Sequence, residues 1–111
     1  MKLSVVIPVY NGAIFIKKSY YSIINQQLDD FEILYVDNNS KDGSLEKIKE
    51  FVEKDSRVKI LIQKKQGASS ARNMGITNAK GKYIYVFDVD DEIYPNALNK
   101  MISVLDEYEN I

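Results

Sequence analysis

The sequence predicts an α/β fold in three layers: a mainly parallel sheet with helices on both faces. Two observations predict it. Short runs rich in β-branched and aromatic residues alternate with segments whose apolar residues recur at helical spacing, in the order βαβαβαβα. No repeat, low-complexity tract or linker interrupts that order, so residues 1–111 are read as one unit without an internal boundary. Strands that alternate with helices are joined by crossovers, which makes successive strands parallel.

Leu3 to Ile7 reads as the first strand. Ile16, Tyr20, Ile23 and Ile24 then mark one face of a first helix. Phe31 to Val36 is the second strand. Asp42 or Ser44 is placed to cap the second helix, whose apolar face is Leu45, Ile48, Phe51 and Val52. Val58 to Ile62 is the third strand. Ser69 or Ser70 is placed to cap a third helix from about Ala71 to Ala79, which Gly81 stops. Tyr83 to Phe87 is the fourth strand. Pro95 suits the first turn of a last helix, with Leu98, Met101, Ile102 and Leu105 inward.

Composition narrows the chemistry. The chain is 45% hydrophobic and 28% charged, an ordinary globular balance. Fifteen basic residues against sixteen acidic ones leave a net charge of -1, with no electrostatic footprint for nucleic acid or an anionic membrane. No apolar run approaches the ~18 residues of a membrane span, and the N-terminus lacks the pattern of a signal peptide. There is no cysteine and no histidine. A thiolate, a His general base, a Ser-His pair and a His-ligated zinc are therefore all excluded. Any metal would be held by oxygen, which favours Mg²⁺, Mn²⁺ or Ca²⁺.

In open parallel sheets, ligands bind outside the carboxyl ends of the strands. Three polar clusters fall there: Pro8-Val9-Tyr10-Asn11-Gly12, Asp37-Asn38-Asn39-Ser40 and Asp88-Val89-Asp90-Asp91. Each also has a plainer reading. Asn11-Gly12 serves equally as a turn and helix start. Asp37 to Ser40 serves as an Asx turn before the second helix. The acids could form a solvated loop, yet like charges this close repel unless protonated or bound to a cation. If the strand continued, Asp88 and Asp90 would share a face, with Asp91 on the other. Such carboxylates can hold one hard cation and leave positions open for phosphate oxygens. The Gly-rich dinucleotide and Walker loops are both missing, so a diphosphate would need a metal and a nearby cation instead. Arg72 is the candidate cation; the alternative is an ion pair with a strand-end Asp.

The stretches "SVVIPVYNG", "FEILYVDNNSKDGS" and "GASSARNMGITNAKGKYIYVFDVDDE" together resemble the nucleotide-binding half of family 2 glycosyltransferases. The likeness covers essentially the whole chain. It implies the Rossmann-like GT-A fold with strand order 3-2-1-4. It implies that Pro8, Val9 and Tyr10 wall the nucleobase pocket, with Tyr10 on the base. Asp37 and Asn38 fall where the family commonly has two Asp residues that read the base edge and ribose. The Asn leaves the base undecided, with a UDP-sugar favoured. Asp88-Val89-Asp90-Asp91 resembles the D-x-D-D motif: Asp90 toward ribose or metal, Asp91 on the metal and Asp88 in support. Arg72 is implied to lie toward the diphosphate or to brace the acids.

The activity implied is inverting sugar transfer from a nucleotide-diphospho-sugar to a saccharide or lipid-linked acceptor, with Mn²⁺ or Mg²⁺. Cell-surface polysaccharide synthesis is the setting implied. Family members usually run much longer, which implies truncation before the acceptor-binding half. The catalytic base is then expected beyond Ile111, Glu92 being a poor substitute. The chain alone is expected to bind a donor without transferring sugar, and to self-associate through uncovered apolar surface. A cytoplasmic location is expected, with the inner membrane face open to the full-length protein. Two other readings stand beside this one. A nucleotidyltransferase-like domain would bind a triphosphate and release pyrophosphate. A degenerate, non-catalytic domain would serve only protein contact.

Overall fold

The structure is a computed structural model, and it describes residues 1–109. Its elements are β1 (Leu3–Val9), α1 (Ala13–Ile24), β2 (Phe31–Asp37), α2 (Ser44–Lys54), β3 (Val58–Ile62), α3 (Ala68–Asn78), β4 (Tyr83–Val86) and α4 (Ala97–Glu109). All strand pairs are parallel and the order is β3-β2-β1-β4. Both the element order and the strand order expected from the sequence are found. The end of the last helix, expected near Asn110-Ile111, lies outside the described residues.

Alternation along the strands builds two cores, because successive side chains point to opposite faces. Leu3, Val5, Ile7 and Val9 of β1 join Phe31, Ile33 and Tyr35 of β2 on one face. Ile16 and Ile23 of α1, Ile48 and Phe51 of α2, and Leu98 of α4 cover them. Val6, Leu34 and Val36 point the other way, onto Ala71 of α3. One layer therefore holds three helices and the other holds one. That second layer is thin, and α3 packs close: Gly75 and Ala71 are its buried residues.

Four local expectations are corrected. Helix α2 is preceded by Gly43 in the left-handed region (φ 89°), so the residue at the cap position is a glycine, and Asp42 reaches the Ser44 N–H from one residue further back. Helix α3 starts at Ala68, not Ala71, behind Gly67 at φ 133°. Few side-chain-bearing residues adopt that conformation, so glycine rather than serine sets the start. Pro95 precedes α4 rather than entering it, because Asn96 adopts φ 65° between them. Finally β4 ends at Val86 and sits at the sheet edge, half exposed, with Ile84 at 41% exposure.

Candidate functional site

The chain runs outward from β1 to β2 to β3, then returns to the other side of β1 for β4. That reversal leaves a crevice at the carboxyl ends of β1 and β4, where crossovers leave in opposite directions. A pocket of ≈ 360 Å³ occupies it. It is walled by the β1 exit around Tyr10, the start of α3 with Arg72, and the turn after β4. Of the residues singled out in the sequence, Pro8, Val9, Tyr10, Asn38, Arg72, Asp88 and Asp90 line it. Among the described residues, Asp37 and Asp91 do not.

The Tyr10 loop is held from outside. The Ser40 hydroxyl accepts the Asn11 N–H at 2.9 Å, and the Ser44 hydroxyl accepts the Gly12 N–H at 3.0 Å. The Lys41 N–H donates to Asn11 Oδ1 at 2.8 Å. Asp42 gives one carboxylate oxygen to Ser44 and the other to the Ala13 N–H, at 3.0 Å. It therefore satisfies the first N–H of α2, as the sequence suggested, and the first N–H of α1 as well. The Ser44 hydroxyl and the Ala13 N–H hold its carboxyl below the usual range. Tyr10 itself stays 60% exposed, an aromatic face at the mouth of the pocket.

Asn38 is buried and fully engaged. Its Nδ2 donates to the Gln63 and Lys65 carbonyls at 2.8 and 2.9 Å. Its Oδ1 accepts the Gly67 N–H at 3.0 Å and Gln66 Nε2 at 3.4 Å. The two donor hydrogens and both lone pairs are thus directed at the β3–α3 loop. This explains why Asn stands here: an Asp could not donate to two carbonyls. Asn38 shapes the pocket wall through that loop, and its carbonyl has no free lone pair for a base N–H in this arrangement. Asp37 is different. It is 4% exposed, and its Oδ1 has no hydrogen-bond partner. A buried acceptor left unpaired is rare and calls for a donor.

The acids do not continue the strand. Asp91 N–H bonds back to the Asp88 carbonyl at 2.9 Å, closing a turn over Asp88–Asp91. The alternation expected for a continuing strand therefore does not apply. Asp88, Asp90 and Asp91 are exposed, and their carboxylates form no ion pair or hydrogen bond among the described residues. Arg72 also forms no ion pair among the described residues, and its one side-chain bond is long, 3.4 Å to Ser69 Oγ. The structural ion pair considered from the sequence is not what is found. Glu92 is paired, with Lys18. Among the described residues no three acidic groups converge on a metal position. Two carboxylates beside a pocket still fit Mg²⁺ or Mn²⁺, which protein side chains typically bind through one or two carboxylates, with substrate phosphates and water completing the shell.

Gln66 and Phe15 also line the pocket and were not singled out in the sequence. Their side chains carry no distinctive chemistry; position alone recruits them. The Gly67 that follows Gln66 was the available signal, since a glycine between a strand and a helix marks a loop with special backbone needs.

The profile of the family described as Glycosyl transferase family 2 matches residues 4–111. An uncharacterized glycosyltransferase of Rickettsia bellii is 38% identical over 96% of this chain and 15% of its own length. Glycosyltransferase GlyA of Streptococcus pneumoniae is 37% identical over 97% of this chain and 16% of its own. The chain thus spans a minority of these relatives. Among solved structures, S. aureus TarS 1-349 in complex with UDP superposes with a TM-score of 0.88 at 27% identity, covering 98% of this chain and 33% of that one. A Pyrobaculum calidifontis mannosyltransferase, solved with GDP-Man and Mn²⁺, shares the fold at a TM-score of 0.82 and 20% identity, over 94% of this chain and 31% of its own. The strand order and these superpositions make the architecture the GT-A type, and the chain belongs to glycosyltransferase family 2.

Proposed function

We propose that this chain binds the donor, a nucleotide-diphospho-sugar with UDP favoured, for inverting transfer to a saccharide or lipid-linked acceptor. One observation carries the proposal: a single pocket joins an exposed aromatic face, two unpaired carboxylates and an unpaired guanidinium. These are the three kinds of group that a nucleoside diphosphate and its cation require. Tyr10 would stack on the base, as aromatic faces do. Asp37, with its orphan oxygen, would accept a donor from the base or ribose. Arg72 would face the diphosphate. Asp90 and Asp91 would hold Mn²⁺ or Mg²⁺, with Asp88 in support. The metal, when bound, would stabilise negative charge on the departing diphosphate. Glu92 is turned toward Lys18 in an exposed ion pair and does not line the pocket, so no residue here is assigned as the base. TarS has been solved with UDP and with UDP-GlcNAc at 27% identity, which supports the choice of UDP.

The chain alone is proposed to bind donor without transferring sugar, in the cytoplasm. No described helix is long and apolar enough to cross a membrane. Self-association belongs to the same proposal, because Val104 and Tyr108 of α4 are 61% and 77% exposed. Sedimentation at rising concentration would show it, and a constant monomer would end it. The test of donor binding is calorimetric titration with UDP, GDP and dTDP, with and without Mn²⁺. UDP should bind, and more tightly with the metal. Binding of none of them in either condition would sink the proposal.

A further inference from the structure

One face of α1 follows the acidic turn and its exit residue by residue. At the start of the helix, Val89, the residue between Asp88 and Asp90, packs against Gly12. A Cβ built on Gly12 would lie 2.9 Å from Val89 Cγ1. Gly12 has φ -114°, an ordinary conformation for any residue. Its lack of a side chain therefore serves space, not backbone freedom. Further along α1, Lys18 pairs with Glu92. Ser22 Oγ accepts the Ile93 N–H at 3.1 Å. Gln26, 1% exposed, donates from Nε2 to the Tyr94 carbonyl at 2.9 Å and accepts the Leu98 N–H at 3.1 Å.

Positions 18, 22 and 26 are four apart, so they share one stripe of the helix and its exit turn. Their partners, 92, 93 and 94, are consecutive. Val89 and Ile93 both pack against the main core from this segment. Among the described residues the acidic turn has one hydrogen bond of its own, and its carboxylates have none. Its entry is tied to β1 through the Phe87 N–H on the Val6 carbonyl, and its middle and exit are held by α1. Like charges gathered at Asp88, Asp90 and Asp91 push the turn outward, and an external seat must oppose that push.

We propose that α1 is the seat that positions the acidic turn for its cation, with Gly12, Ser22 and Gln26 as positioning residues. The inference rests on the donor-binding reading for its functional consequence, but the seat itself does not. Gly12→Ala forces Val89, and the acids on either side of it, away from the pocket. Ser22→Ala frees the Ile93 N–H and loosens the exit. Ser22 does not line the pocket, so its effect passes through the turn, while Gly12 lines the pocket and its effect is assigned to the turn by the Val89→Ala rescue below. Loss of such supporting partners typically lowers metal affinity about 10- to 100-fold.

Two readouts test this on the protein without and with ligand. The first is amide hydrogen exchange over residues 89–98 in the ligand-free protein. The second is the affinity for UDP with and without Mn²⁺. Gly12→Ala and Ser22→Ala should each speed exchange over that segment and weaken Mn²⁺-dependent UDP binding by roughly tenfold or more. Ser22→Ala should leave metal-free UDP binding unchanged, since Ser22 does not line the pocket. Adding Val89→Ala to Gly12→Ala removes the clashing methyl groups and should restore metal-dependent binding. Unchanged exchange in both variants, or no rescue by Val89→Ala, overturns the inference. If the wild type binds no UDP under any condition, the donor reading fails, and exchange over 89–98 alone then decides whether α1 is the seat.

Discussion

Gly75→Ala sets two effects of opposite sign against each other. Gly75 lies within α3, and Ala is favoured over Gly inside a helix by about 1 kcal/mol. In isolation the substitution would stabilise. In the folded protein the new Cβ would lie 2.2 Å from Val6 Cγ1, 3.2 Å from Val6 Cγ2 and 3.3 Å from Val36 Cγ2. Carbon atoms prefer 3.5 to 4.0 Å, so α3 would have to retreat from the sheet by about 1 Å. Overpacking of this kind typically costs about 1–3 kcal/mol. A contact this short belongs at the upper end, so the clash should win by roughly 2 kcal/mol. For a domain of this size that lowers the melting temperature by roughly 8 °C or more. Retreat of α3 also carries Arg72 and Ala71 out of the pocket wall. Urea unfolding measures the stability change through the midpoint at constant slope. Val6→Ala removes both offending methyl groups, so the double variant should be more stable than the single costs add up to. A Gly75→Ala protein as stable as the wild type would refute the close packing of α3 on β1.

The other predictions concern charge, the loop and the ligand. Asp55 accepts two bonds from the Arg57 guanidinium and one from Tyr20, which hold its carboxyl well below the usual range. Its folded pKa lies below the unfolded value, so its contribution is present above about pH 4 and is lost as pH falls below that. Asp55→Asn should therefore lower stability at pH 7 and flatten the acid limb of the stability–pH curve; an unchanged limb would count against the ion pair. Burial and the Asp55 carboxylate push the Tyr20 hydroxyl up to about 12, so stability should also fall as pH rises above about 10. Asn38→Asp should destabilise the protein by about 1–3 kcal/mol and loosen residues 63–67, because two carbonyls lose their donor. If Asn38→Asp instead tightens UDP binding with stability intact, Asn38 reads the base rather than the loop. Tyr10→Ala should weaken UDP binding by about 1–3 kcal/mol with or without metal, measured by titration. Asp90→Asn should remove most of the Mn²⁺-dependent gain in UDP affinity and leave metal-free binding in place; equal binding in both conditions before and after substitution would reduce the acids to a solvated turn.

The fold was legible because its determinants are local and periodic. Leu3 to Ile7, Phe31 to Val36 and Val58 to Ile62 announce strands by β-branched composition, and the strand limits moved by two residues at most. The helix starts were less legible. Asp42, Ser69, Ser70 and Pro95 are all good starting residues by type, yet Gly43, Gly67 and Asn96 hold the positions before the helices. A cap is a hydrogen bond, and Asp42 serves a second donor besides Ser44, the Ala13 N–H 29 residues away in the chain, that no local pattern reveals.

For the site, sequence by itself determined the chemical inventory: oxygen ligands only, one aromatic and one arginine near three acids, all at the same edge of a parallel sheet. Alternation with short crossovers makes the strands parallel, which puts their carboxyl ends on one edge, while the strand order 3-2-1-4 came from the family resemblance. Tertiary structure alone decided what each group is free to do. Asn38 is committed to the β3–α3 loop, Glu92 to Lys18 and Asp42 to the starts of α1 and α2, while among the described residues Arg72 and the three aspartates have no ion-pair partner and Asp37 keeps an orphan oxygen. Whether a polar group is satisfied depends on partners brought from tens of residues away. That is a property of the packed chain, and no reading of neighbours in sequence can supply it.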